Sequence, residues 1–452
     1  MSREAGAPET SLELARFLSA SRYEDLPAAL RHEAKRSLLN FFAVAFAGSR
    51  EIAVETALGL LQEFAGPPQA AIVGRPERTD LATAAFLNCA SANVYDFDDT
   101  HPRTVIHPTA PAAAPLLALS HRQRVSGPAL LHAFVLGAET ECRIGNAVSP
   151  GHYRRGWHIT ATCGVFGAAA ASGKLLGLDA QGLLWALGNA SAQSSGLVET
   201  LGFMAKSLGV GNAARNGLLS ALLAERGFDG PARPLEGPRG FLQVMGEAAD
   251  PSEITGALGE RWELLDNTYK PYPCGVVLNS VIDGCLALQA RGDCPPEAVE
   301  SVTLHGHPLL RQRTDRPDVA TGREAQVSAH HAVAVCLLFG AAGLAQFSDA
   351  AVRDPRVLAL RRTVSIVDDA EIPVEGIRIE LKRRDGTRET LVVEQARGSA
   401  GRPLADSELE DKLRRLAADG APGCRPEPLI EAVWGLEDLA DASELLRLAV
   451  PS

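Results

Sequence analysis

ITATCGVFGAAAASGKLLG, residues 159–177, is the stretch that decides how this chain reads. It reads as a helix whose small residues Gly164, Gly167, Ala171 and Gly173 form one face, along which another helix can approach closely. The preceding residues, GHYRRGWH (151–158), are a polar loop bounded by glycine. His158 therefore falls at the start of the helix, where backbone N–H groups and the helix dipole favour an anion. Set against that is the ordinary reading of a lone histidine packed in a core.

Upstream lies the densest polar segment of the chain, NVYDFDDTHPRTVIHP, residues 93–108. It holds Asp96, Asp98, Asp99, Thr100, His101, Arg103, Thr104 and His107 between two apolar helical patterns, Leu81 to Val94 and Pro111 to Leu119. Pro102 and Pro108 mark it as a loop. A solvated acidic loop carries Glu, Lys and Ser. A mixture of Asp, His and Arg beside apolar flanks points instead to groups that perturb one another's pKa, as at an active site. The plainer alternative is an Asp-rich cap and turn joining two core helices.

Downstream, Asp179 caps a helix expected over Ala180 to Leu197. ETLGFMAKSLGVGN (199–212) reads as a glycine-punctuated loop holding Lys206, and a helix Ala213 to Arg226 follows. Lys206 between two apolar helices is either a surface lysine or a cleft-lining one. Three amphipathic helices are expected from Ser11 to Gly66, with Gly48 and Gly66 as left-handed stops. Pro128 to Val148 reads as a long apolar helix whose Glu139, Glu141 and Arg143 make a solvated or intrahelical polar face.

The helical rhythm breaks at WELLDNTYKPYPC (262–274). Beyond it a helix Val276 to Ala290, a strand Val299 to His305, and a helix Glu324 to Phe339 are expected. Strands Gly376 to Lys382 and Glu389 to Gln395 flank Asp385-Gly386, a hairpin signal. The fold class that results is mostly α, a large helical domain (1–267 and 400–452) with a smaller α+β domain (268–399) between its two pieces.

A net charge of −11 argues against nucleic acid as a partner. An anionic substrate remains compatible, because distant surface charges are screened beyond roughly 8 Å at physiological salt. Residues Met1 to Thr10 are polar, and the apolar runs are broken well short of a membrane span. A cytoplasmic protein with no membrane partner is therefore expected. Cysteines 89, 142, 163, 274, 285, 294, 336 and 424 include no C-x-x-C, which favours buried free thiols over a zinc or iron–sulfur site.

DFDDTH with HP shortly after it, GWHITAT-GVFGAAAA-GKLLGL, AKSLGVGNAARNGLLSALLA and YKPYPCG together resemble the MmgE/PrpD family. That family includes 2-methylcitrate dehydratases, cis-aconitate decarboxylases and iminodisuccinate epimerases. The resemblance implies a homodimer of helical domains with α+β lids, needing no metal, flavin or nicotinamide. It further implies a site between domain and lid, with Asp96, Thr100, His107, His158, Lys206 and Lys270 as catalytic groups. Asp99, His101 and Arg103 are the expected substrate-binding residues. Two positions depart from the family pattern: Gly209, where relatives carry His or Asn, and Asn279, where many carry His. The decarboxylase branch is similar in using a lid tyrosine, and this chain has no tyrosine after Tyr272, which disfavours that activity.

The leading expectation is a cofactor-free hydro-lyase acting on a small hydroxylated di- or tricarboxylate of the 2-methylcitrate type. An epimerase of an imino or amino dicarboxylate needs the same His/Lys set without a leaving group. A non-catalytic carboxylate-binding protein is the third reading. A metal-dependent reading is disfavoured because D-x-D-D has no second Asp-rich partner motif.

Overall fold

The computed structural model describes residues 9–292 and 295–451; Cys294 and the stretch before Glu9 lie outside them. The fold is mostly α with a smaller α+β part. The chain divides into two compact units. One comprises the residues up to Val94, Asp98–Asn267 and those from Asp406 onward; the other comprises Tyr95–Phe97 and Thr268–Ala405.

The first unit is organised around the Ile159–Leu175 helix, which is buried from Ile159 to Gly173. Small residues explain how so many neighbours reach it. A Cβ on Gly167 would lie 2.9 Å from the Gly137 carbonyl, and one on Gly137 would lie 2.7 Å from Ala171 Cβ. Gly164 meets Pro111 of the Thr109–Leu119 helix at 2.9 Å in the same sense. Gly164, Gly167 and Ala171 thus form the expected small-residue face. Gly173 does not belong to it. It lies nine residues beyond Gly164, about half a turn out of phase, and it faces Leu183 of the Ala180–Ser191 helix.

Both ends of the chain contribute to this unit. Asp406–Gly420 packs on Ala28–Gly48, where Lys412 Nζ donates to Asn40 Oδ1 at 2.8 Å and Arg36 pairs with Asp406. A Cβ on Gly420 would come within 2.3 Å of the Phe46 carbonyl. Among the described residues no single helix is long and apolar enough to cross a membrane. Ala28–Gly48 and Ile52–Leu61 combine sufficient length and apolar composition only as a pair, across an 83° bend.

Several elements differ from the sequence reading, each for a packing reason. Gly48 is not a left-handed stop; it ends its helix with helical geometry, and its missing side chain lets the Ser91 carbonyl approach. Gly66 lies beyond a helix that ends at Leu61. The Ala180 helix stops at Ser191, and Gly196 follows with a positive φ of 140°. The supposed loop around Lys206 is helical, because Ala205–Glu225 is one continuous helix. Gly211 disfavours a helix by about 1 kcal/mol relative to Ala, yet here it sits where a Cβ would meet the Phe86 ring at 2.8 Å.

In the second unit a four-stranded sheet has the spatial order Val364–Asp368, Val299–Gly306, Ile377–Arg383, Arg388–Val393. The first pair is parallel and the others antiparallel. Gly386, with a φ of 89°, turns the hairpin at Asp385-Gly386. The Asn279–Ala290 helix lies on the sheet, and Gly284 brings it against Ile379, Leu391 and Val393. Val364–Asp368 escaped the sequence reading, and the helix expected from Glu324 is broken, with Ser328 capping Ala329–Phe339.

Candidate active site

Two parallel helices build the site in the first unit. Along the Ile159–Leu175 and Ala205–Glu225 helices the contacts advance in step. A Cβ on Gly209 would lie 3.6 Å from Ala161 Cβ, and one on Gly217 would lie 2.3 Å from Ala168 Cβ. The two helices therefore begin at the same end. His158 is the N-cap of the first, and Lys206 sits in the first turn of the second. Both side chains are buried, at 4% and 8% exposure. The His158 N–H donates to the Gly196 carbonyl at 3.1 Å, which fixes the entry of the chain into the helix. Two helix N-termini, an ammonium and an imidazole make this end of the pair a place for negative charge.

The Asp98–Pro108 part of the polar loop joins it there. The His107 N–H donates to Thr160 Oγ1 at 3.2 Å, one residue into the Ile159–Leu175 helix. His107 Nδ1 lies 2.6 Å from the Asp99 carbonyl, 3.3 Å from Asp98 Oδ1 and 3.4 Å from Thr100 Oγ1. The sequence reading named Asp98 in the polar segment without giving it a role of its own, and passed over Thr160. Asp98 stands within the motif, but three aspartates in four positions do not say which one meets the histidine.

The substrate-binding set takes other places. Asp99 is fully buried, and its Oδ2 accepts from the Thr109 N–H at 3.3 Å, from Asn267 Nδ2 at 2.7 Å, and from the Thr109 hydroxyl. Burial, and then the neighbouring Asp98, lift its carboxyl to about 6. Asp99 thus caps the Thr109–Leu119 helix. His101 is also fully buried, with Nδ1 2.8 Å from Thr104 Oγ1 and Nε2 3.2 Å from Glu263 Oε2. Arg103, about half exposed, pairs with Glu253 at 2.9 Å and lies 3.7 Å from Glu263. The contacts of His101 and Arg103 tie the loop to the 253–263 segment.

Asp96 and Lys270 belong to the second unit and pair with each other. Lys270 Nζ is 3.1 Å from Asp96 Oδ2 and 3.0 Å from the Asp96 carbonyl. Asp96 adopts a positive φ of 52°, which Asp tolerates better than most residues. Gln326 Nε2 holds the neighbouring Tyr95 carbonyl at 2.9 Å.

The trio read as a solvated or intrahelical face on Gly127–Val148 is buried. Arg143 reaches Glu139 at 2.6 Å and also donates to the carbonyls of Ile254, Gly256, Ala257 and Arg261. The intrahelical pair is real, but the face is an internal one. Glu141 is fully buried, and neither of its carboxylate oxygens has a hydrogen bond among the described residues. Burial, with Asp99 adding to it, pushes this carboxyl well above the usual range.

In this unit His101, Glu263 and Asp266 could present ligand atoms to a metal ion, lying within 4.8 Å of one another. Glu263 is committed elsewhere, however. Arg261 lies 2.9 Å from its Oε1, and Asn146 donates to Oε2 at 2.8 Å. Burial opposes ionisation of Glu263, yet His101, Asn146 and Arg261 hold its carboxyl down at about 2. A cation there would compete with a guanidinium already in place.

The MmgE/PrpD N-terminal domain model matches residues 12–254, and the MmgE/PrpD C-terminal domain model matches residues 272–437. The chain belongs to the MmgE/PrpD family. A cis-aconitate decarboxylase-like protein of Aspergillus oryzae is 30% identical, with 96% of each chain covered. Cis-aconitate decarboxylase of Aspergillus terreus is 29% identical, over 96% of this chain and 95% of that one. The Mus musculus cis-aconitate decarboxylase is 27% identical, over 92% and 88%. Family and relatives together support a lyase.

Proposed function

We propose that this MmgE/PrpD lyase transfers a proton at a carbon beside a carboxylate of a small polycarboxylate, using side chains alone. The observation that carries the reading is the parallel pair of buried helix starts, which gathers His158, Lys206 and the His107 loop. Removing a proton next to a carboxylate builds an enediolate-like dianion, which is costly unless positive charge stands where negative charge develops. Lys206 and the two helix N-termini supply that charge. His107 and His158 are the imidazoles placed to take and return the proton.

In the hydro-lyase form one imidazole takes the α-proton. The C–O bond then breaks, and the other imidazole protonates the departing hydroxyl, so that water leaves and a C=C bond forms. A second reading, decarboxylation, is favoured by the names of the relatives. There the C–C bond to a carboxylate breaks, CO₂ departs, and an imidazole protonates the carbanion on the same cationic platform. The absence of a tyrosine after Tyr272 counts against it on the family pattern.

A homodimer belongs to the proposal. It is supported by the exposed Leu208, Leu219 and Leu223 along one face of the Ala205–Glu225 helix. Light scattering tests it.

The deciding experiment incubates the protein in D₂O with C4–C7 hydroxy-, imino- and unsaturated polycarboxylates, cis-aconitate among them, and follows the mixtures by NMR. Net loss or gain of water identifies the hydro-lyase, and release of CO₂ identifies the decarboxylase. Deuterium exchange with stereochemical change alone identifies an epimerase. Saturable binding without exchange or product would overturn the catalytic reading.

A further inference from the structure

The shortest contact of His107 Nδ1 is to an oxygen atom that cannot donate a proton to it. The Asp99 carbonyl at 2.6 Å has no hydrogen, so Nδ1 must carry one. Beside that bond stands the Asp98 carboxyl, itself 1% exposed. Its Oδ2 accepts from Asn93 Nδ2 at 2.7 Å. Its Oδ1 takes no hydrogen bond among the described residues and lies 3.3 Å from His107 Nδ1. Asn93, fully buried, is the last residue of the Leu81–Asn93 helix and anchors the carboxyl to a rigid element. A buried carboxylate without a partner is strongly unfavourable, and the imidazole is what one of its oxygens faces.

We infer that Asp98, oriented by Asn93, is the positioning residue of His107. Together with the Asp99 carbonyl it fixes the ring with its hydrogen on Nδ1, and so presents Nε2 as the nitrogen that exchanges a proton with substrate. When His107 becomes an imidazolium, the Asp98 charge stabilises it from behind, on the side away from Nε2. This rests on the reading of His107 as an acid–base group. Asp98 itself touches no reacting atom in this account.

The test combines ¹⁵N NMR of histidine-labelled free protein at alkaline pH with steady-state kinetics, the His107 signals being assigned by their loss in His107→Gln. The wild-type protein is expected to show a protonated Nδ1 and an unprotonated Nε2. Asp98→Asn offers an oxygen to Nδ1 at the same place without the charge. It should keep that tautomer while kcat falls about 10²-fold and KM stays within about 3-fold. Asp98→Ala leaves the Asp99 carbonyl facing Nδ1, so the tautomer should persist while kcat falls further. A wild-type His107 protonated on Nε2 overturns the inference, as does an Asp98→Asn enzyme of undiminished kcat. Should no substrate turn over at all, the catalytic reading fails, and the pH titration of the His107 ¹⁵N signals decides the Asp98 role: Asp98→Asn should move the midpoint to lower pH, and an unmoved midpoint overturns the inference. If Asp98→Ala does not fold, the wild-type and Asp98→Asn spectra carry the decision.

Discussion

Glu141 lies inside the helical unit, with Gly164 and Gly167 leaving room for its carboxyl and no hydrogen bond to either oxygen among the described residues. Burial raises its folded-state pKa well above the unfolded one, so folding takes up a proton as the pH rises past the unfolded value of about 4.3. Stability from this group is complete below that pH and is lost as pH climbs toward the folded pKa. Every tenfold difference in proton affinity between the folded and unfolded chain corresponds to about 1.4 kcal/mol. Glu141→Gln removes the titration. The stability of wild type relative to Glu141→Gln should therefore fall as the pH rises above the unfolded value of about 4.3 in urea unfolding. Parallel curves would show that Glu141 is ionised in the folded protein. Sequence could not reveal this group, because i,i+4 spacing to Arg143 was available to Glu139 alone and nothing local says which way Glu141 faces. His107 and His158 were legible as candidates only, since a motif loop and a helix start mark them. Asp98 was hidden among equivalent aspartates.

At the scale of the helix, Ala205–Glu225 shows where sequence signals lose to packing. Gly209 and Gly211 read as loop punctuation, yet both lie in helix, because tertiary contact outweighs their low propensity. The same helix offers a matched pair of substitutions. At Gly209 the nearest atom to a new Cβ is Ala161 Cβ at 3.6 Å, an ordinary contact. Gly209→Ala should be neutral or stabilising by up to about 1 kcal/mol. At Gly217 a Cβ would meet Ala168 Cβ at 2.3 Å and the Val165 carbonyl at 2.6 Å. Gly217→Ala should cost about 1–3 kcal/mol despite alanine's better propensity. Thermal melts of the two variants check this, and equal melting temperatures would contradict the close parallel packing on which the site depends. The small-residue face of Ile159–Leu175 was legible in the sequence as far as Ala171, because 3.6-residue periodicity is a local property. The partner of that face was not.

Across the whole molecule, the helical unit draws on both chain ends. Lys412, Asp406 and Glu437 reach Asn40, Arg36 and Lys35 of the Ala28–Gly48 helix. A chain ending at residue 404 would uncover Phe46 and the Arg36 and Asn40 side chains. It should lose cooperative unfolding or precipitate, since several buried apolar side chains at about 1.5–3 kcal/mol each exceed a typical margin of stability. A soluble truncation with an unchanged melting temperature would contradict this. The break near residue 268 and the Asp385-Gly386 hairpin were legible because proline, aromatic and glycine signals are local. The inclusion of Tyr95–Phe97 in the second unit was not, since no pattern in three residues announces it.

The cationic start of the parallel helix pair is the central claim, and Lys206→Met tests it most directly by keeping the apolar stem and removing the charge. The measurement is kcat/KM on the turned-over polycarboxylate, taken beside a thermal melt. Loss of a charge-assisted contact to a developing anion costs on the order of 2–4 kcal/mol, so kcat/KM should fall about 10²–10³-fold. The melting temperature should move little. A variant that melts far earlier yet keeps wild-type turnover per folded molecule would make Lys206 structural and contradict the account.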